Sequence, residues 1–192
     1  MRSFPGASEI NNVQKVTLRT LLFLACIGFL LCGQSAQAQS SNSGYNIKAA
    51  FIYNFAIYID WPSEVFKTRD EPFVVGVVGS DAFAELLERT LSEKTVRGRS
   101  FVVKRWVTAR NVKDCQIVFF SAETRDVATS LSTLGAAPML TVGESDAFAD
   151  SGGMINFLVD DNKLRFDINV EAGRRAHLIM SSRLLSLARR AR

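Results

Sequence analysis

The spacing of apolar positions changes from segment to segment along this chain, and each spacing predicts an element. Tyr45 to Pro62, YNIKAAFIYNFAIYIDWP, carries Lys48 as its sole charge before Asp60. Ile47, Phe51, Phe55 and Ile59 fall on the i, i+4 row of a helix, with Ile52 and Ala56 beside them. Pro62 biases Trp61 away from helical backbone, which predicts a stop there. A helix apolar around most of its circumference needs cover on several sides. At roughly fourteen residues it is too short for a bilayer, which requires about 20.

Phe73 to Gly79 (FVVGVVG) is a continuous run of mostly β-branched residues, the pattern of a strand buried on both faces. Ser80-Asp81 then predicts a capped helix to about Leu91, with Phe83, Leu86, Leu87 and Leu91 at helical spacing. Strands are expected at Phe101–Val107, Gln116–Phe120 and Met139–Val142. Ser121 to Leu134 reads as a helix closed by Gly135, and a short helix is expected around Ala147–Ala149. From Met154 the period becomes two. Leu164, Phe166, Ile168 and Val170 alternate with Arg165, Asp167 and Asn169, and Asp160-Asp161-Asn162-Lys163 supplies the turn of an antiparallel hairpin at a sheet edge. Glu171 to Ala188 reads as one final helix whose stripe is Ala176, Ile179, Met180, Leu184 and Leu187. These elements predict an α/β fold. It is a three-layer sandwich with a mixed, mostly parallel sheet, helices on both faces and an antiparallel C-terminal hairpin.

Composition places this domain outside the cytosol. Lys15 and Arg19 precede the apolar stretch Leu21–Leu31, and Ala36-Gln37-Ala38 has the small-x-small form of a cleavage site. Residues 1–38 therefore read as a secretory signal peptide cut after about Ala38. Residues 39–44 read as a flexible leader, with Ser43 or Asn46 able to cap the opening helix, and residues 45–192 as a single domain. Two of the three cysteines leave with the signal, so Cys115 has no intramolecular partner and reads as a buried structural thiol. Arg2, Lys15, Arg19 and Glu9 also leave, so 23 basic and 19 acidic side chains become 20 and 18. A surface so nearly balanced argues against nucleic acid as a partner.

The candidate chemistry is sparse. Gly76-Val-Val-Gly79-Ser80-Asp81 lacks phosphate-loop spacing, and Asp81 puts a negative charge where the anion would sit, so it reads as a helix cap. His177 is the only histidine, no nucleophile elbow occurs, and the acids Asp160, Asp161, Asp167 and Glu171 do not have calcium-loop spacing. No catalytic set, metal site or cofactor is expected. Arg175 and His177 lie two residues apart where hairpin meets helix, and together suit a small carboxylate ligand or an acidic partner side chain. Two cations in the first turn of a helix oppose its dipole, which favours a partner for them. The terminal Arg189-Arg190-Ala191-Arg192 reads as a frayed tail, able to touch anionic headgroups.

Several of these stretches recur in one order. Tyr45–Phe55 with Ile59-Asp60-Trp61-Pro62 is followed by Val78-Gly79-Ser80-Asp81-Ala82-Phe83, Cys115–Phe119 and Leu140-Thr141-Val142. Gly152–Phe157, Arg165–Asn169 and Met180–Leu185 complete the series. The whole set resembles the YfiR family of periplasmic regulators over about residues 45–188. The resemblance implies a non-enzymatic, dimeric periplasmic repressor. Its partner would be the periplasmic sensor domain of an inner-membrane diguanylate cyclase, and an outer-membrane peptidoglycan-binding lipoprotein would relieve the repression. It also implies a small-molecule site near the start of the last helix, which falls on Arg175 and His177, for a small carboxylate or aromatic ligand. The alternative is a periplasmic small-molecule sensor feeding a histidine kinase or another membrane receptor. Placed at the head of such a domain, the opening helix should be mostly core, with Tyr53 and Trp61 the expected contacts for a dimer or partner.

Overall fold

Buried apolar side chains form two clusters, one on each face of a single sheet, and this division sets the architecture. The computed structural model describes residues 35–192, with side chains from Gly44 onward, and the sheet with its covering helices belongs to the unit Gly44–Arg192. The expected signal peptide, as far as residue 34, lies outside the described residues.

Helix α1 (Ser35–Tyr58) leads into the two-residue strand β1 (Ile59–Asp60). There follow β2 (Phe73–Val78), α2 (Asp81–Leu91), β3 (Thr95–Val96), β4 (Arg99–Trp106) and β5 (Ile117–Phe120). Next come α3 (Val127–Leu134), β6 (Leu140–Gly143), α4 (Asp146–Asp150), β7 (Ile155–Asp160) and β8 (Lys163–Ile168). The chain closes with α5 (Val170–Arg175), β9 (Ile179–Met180), α6 (Ser182–Leu187) and β10 (Arg190–Ala191). Eight strands form the sheet in the order β10-β8-β7-β6-β5-β2-β4-β3. The pairs from β4 through β2, β5 and β6 to β7 are parallel, and β7–β8 and β3–β4 are antiparallel. This is the expected three-layer α/β sandwich.

The runs with the strongest patterns became the elements they predicted. All residues of β2, β5 and β6 are buried, as strands covered on both faces must be. Ser80 caps α2, its Oγ accepting from the Phe83 amide at 3.3 Å. Asp161 and Asn162, with φ of 49° and 58°, make the left-handed two-residue turn between β7 and β8. Gly79 is confined in two ways. Its φ of +86° favours glycine, and a Cβ there would lie 2.6 Å from Ser121 Oγ.

On one face, α1, α2, α5 and α6 cover the sheet with Phe55, Phe83, Leu87, Ala172 and Leu184. On the other, α3 and α4 contribute Val127 and Phe148, which pack with Val74, Val118 and Phe120. Cys115 joins this second cluster, and burial pushes its thiol up to about 12. A thiol so protonated at neutral pH is a poor nucleophile, as a structural cysteine should be.

Several expectations need correction. The opening helix begins at Ser35, so it runs through the stretch read as a leader and neither Ser43 nor Asn46 caps it. It also ends at Tyr58, short of the helical row read as far as Ile59, because Ile59-Asp60 leaves the helix to pair with Met180 and Ile179. The buried row of α1 is Ala49, Ile52, Phe55 and Ala56, and Ile47 is 46% exposed. The final helix is two short helices separated by β9, so Ile179 and Leu187 point outward, at 67% and 50% exposure. The C-terminal tail is not frayed but paired. Arg189 and Arg192 donate backbone hydrogen bonds to Phe166 and Ile168 at 2.9 and 3.0 Å, and β10 rather than the hairpin takes the sheet edge.

Arg189 holds this edge through its side chain as well. Its Nε and Nη2 reach the two oxygens of Asp167 at 2.9 and 2.6 Å, a bidentate pair. The hydrogen bond from Arg189 holds the Asp167 carboxyl below its ordinary 3.8. A depressed carboxylate pKa contributes stability above the unfolded value and loses it as the pH falls through the folded one. The protection factors of the Arg192 and Val170 amides, which correct for intrinsic exchange, are therefore expected to fall as the pH drops below about 4, the ordinary aspartate pKa. Asp167→Asn should show lowered protection factors at all pH values. Unchanged protection in Asp167→Asn would mean that backbone pairing alone holds the strand.

Candidate functional site

The segment carrying Arg175 and His177 starts at Asn169, whose side chain caps α5 by accepting from the Ala172 amide at 3.0 Å. Gly173 lets the turn approach Met180, since a Cβ at that position would meet the methionine Cε at 2.6 Å. The helix ends in a double hydrogen-bonded cap. The His177 and Leu178 amides donate to Arg174 O and Gly173 O, both at 3.0 Å, with His177 at φ 57°. Asparagine, aspartate and histidine enter this left-handed region more readily than other non-glycine residues.

This geometry reverses one inference and divides a pair. Arg174 and Arg175 occupy the last turn of α5, where cations complement the helix dipole, so the dipole supplies no argument for a partner. Arg175 lines a cleft of about 350 Å³ between α5, α3 and the turn before β7. Its walls include Leu131, Ser132, Thr141, Gly152 and Met154, and Arg175 is the one charged side chain among the described residues that line it. His177 is exposed at the cap and is not part of that lining. What the sequence placed two residues apart, the turn points in different directions. Asn169 and Gly173 are the signals that could have located this break, as a cap and a glycine inside one supposed helix.

Tyr53 and Trp61 are separated in another sense. Tyr53 is half-buried: its ring meets Phe101 edge-on at 5.9 Å, Lys94 Nζ lies 4.9 Å from its centroid, and its hydroxyl donates to Thr95 O at 3.4 Å. Trp61 is 9% exposed, packed edge-on against Phe73 at 5.3 Å, with Nε1 donating to Ala56 O at 3.5 Å. Tyr53 keeps part of its ring in solvent, whereas Trp61 is packed within the domain itself.

Sequence reasoning passed over Lys48 and Glu144. Lys48 Nζ and Glu144 Oε2 form a direct ion pair with side chains only 16% and 8% exposed. The other oxygen, Oε1, accepts from the Ala122 amide at 2.9 Å, so one carboxylate ties α1 to the loops after β5 and β6. Above them, Tyr45 lies against Phe83 with ring centroids 4.9 Å apart, and burial raises its phenol pKa. A single lysine inside an apolar run was the available signal. Among the described residues no group of His, Cys, Asp and Glu could hold a metal ion, and no helix is long and apolar enough to cross a membrane.

The Arg175 cleft thus offers a single cation, set in a three-layer α/β domain whose one described cysteine is buried. Residues 45–189 match the model of the YfiR/HmsC-like family, and the chain belongs to that family. Its members are periplasmic signalling regulators rather than enzymes. No curated protein matches in sequence. Among solved structures, the chain is similar to a conserved domain protein from Vibrio cholerae O1 biovar El Tor, at 12% identity and a TM-score of 0.48. That similarity covers 62% of this chain and 54% of the other. A second is the ABC domain in complex with L-Trp from Streptococcus pneumonia, at 9% identity and TM-score 0.44, covering 62% and 55%. The chain thus spans about half the length of each of these two structures.

Proposed function

We propose that this protein is a periplasmic, non-enzymatic regulator that binds and represses the periplasmic sensor domain of an inner-membrane diguanylate cyclase. The observation carrying this reading is the family match over residues 45–189, which takes in every strand of the main sheet up to the C-terminal segment. The protein acts as a homodimer, and an outer-membrane peptidoglycan-binding lipoprotein relieves the repression by sequestering it. Deleting the gene is expected to raise cyclic-di-GMP and biofilm formation. An unchanged level under several envelope stresses would overturn the reading.

A second reading is favoured by the Arg175 cleft. One guanidinium in an otherwise uncharged pocket suits a small carboxylate, including that of an aromatic amino acid, gripped bidentately. In this reading the domain is a small-molecule sensor that feeds a histidine kinase or another membrane receptor. Calorimetry with small carboxylates and aromatic amino acids should give heat with the wild type and little with Arg175→Ala. No heat with either protein would end this reading, and leaves the first untouched.

A further inference from the structure

The strand order reverses once in the parallel part of the sheet. After β2 the chain crosses through α2 to β4 on one side, then returns past β2 to place β5 on the other. The loops that follow β2 and β5 therefore diverge at their carboxyl ends, and in open α/β sheets that crevice is where ligands bind. Here the crevice is a real cavity. A cleft of about 650 Å³ is lined by Gly79 after β2, by Val107 to Arg110 after β4, and by Glu123, Arg125, Asp126 and Thr129 around the start of α3.

Its lining carries charges of both signs. Two cations, Arg110 and Arg125, share the cleft with two anions, Glu123 and Asp126. Among the described residues, none of the four side chains enters an ion pair or a side-chain hydrogen bond. Val107, at 91% exposure the most exposed of the large hydrophobic residues, stands at the same cleft. A free anion would be repelled by Glu123 and Asp126, and a free cation by the arginines. A molecule with both signs at its ends satisfies both pairs, and an apolar group between them covers Val107.

We propose that this cleft binds a short zwitterionic peptide, its carboxylate held by Arg110 and Arg125 and its ammonium by Glu123 and Asp126. A volume of about 650 Å³ is of ligand size and exceeds what one amino acid fills. The site is distinct from the Arg175 cleft, which lies on the opposite flank of α3 and carries a single charge.

The test is a nitrogen–proton NMR titration of the folded domain with trialanine, N-acetyl-trialanine amide and free alanine, each at millimolar concentration. Trialanine is expected to shift the amides of residues 107–110 and 123–129. Blocking both termini, or changing Arg125→Gln, should weaken binding about tenfold or more, the loss of at least one charge-assisted contact. Arg125 is exposed, so the variant should keep the wild-type spectrum elsewhere. Three results would overturn the proposal: no shifts with any ligand, equal binding of the blocked peptide, or alanine binding as tightly as trialanine.

Discussion

Phe55→Ala is expected to cost the domain about 3–5 kcal/mol, the usual range for truncating a buried phenylalanine. That is a large fraction of the roughly 5–15 kcal/mol by which domains are stable, so the variant should be largely unfolded or melt far below the wild type. Phe55 is fully buried, 5.2 Å from Phe166 edge-on, 5.8 Å from Phe157 and 6.1 Å from Phe51. Its removal opens a void between α1 and the hairpin that Phe157 and Phe166, held by the sheet, cannot close. Tyr53 lies on the same helix but is half-buried, and Tyr53→Ala should leave the fold intact at a cost of about 1 kcal/mol. Urea unfolding of both variants checks the pair. A Phe55→Ala protein as stable as Tyr53→Ala would show that α1 is not packed as described.

The second large effect concerns the pair Lys48 and Glu144. Removing either partner leaves a buried charge uncompensated, which typically costs about 3–5 kcal/mol. Lys48→Met and Glu144→Leu should each fall in that range. The double variant should be clearly more stable than the sum of the singles, because two apolar side chains replace a pair that was costly to desolvate. Glu144→Leu also removes the acceptor of the Ala122 amide, so it should be the more damaging of the two singles. Simple additivity in the unfolding cycle would mean that the two charges do not act on each other.

How much could be read beforehand depended on whether a segment's partners were local. In β2 and β5 the residues themselves announce burial on both faces, and the strands follow within a residue or two. The hairpin was legible because Phe166 and Ile168 alternate with Arg165 and Asp167 around an Asp-Asn turn. The C-terminal segment was not, since its apolar spacing suits a helix as well as the helix–strand–helix it adopts. Its break comes from Ile59 and Asp60, far away in sequence, which offer backbone to Met180 and Ile179. The site divides in the same way. Arg175 was visible as a cation beside a turn, but its separation from His177 depends on one left-handed residue, and the Lys48–Glu144 pair joins α1 to a loop distant in sequence.

The ribbon of β1 with β9 also dictates when this domain can fold. The first helix has its aromatic cover in Phe157 and Phe166, and its exit is clamped by Met180, all from the last part of the chain. A chain lacking its last strands can therefore cover α1 only in part, through Phe83 and Phe101, and leaves Phe51 and Phe55 without their partners. Such distant pairing slows folding. Native cover for the first helix is thus supplied in part by the last strands, so the two ends of the domain can only mature together.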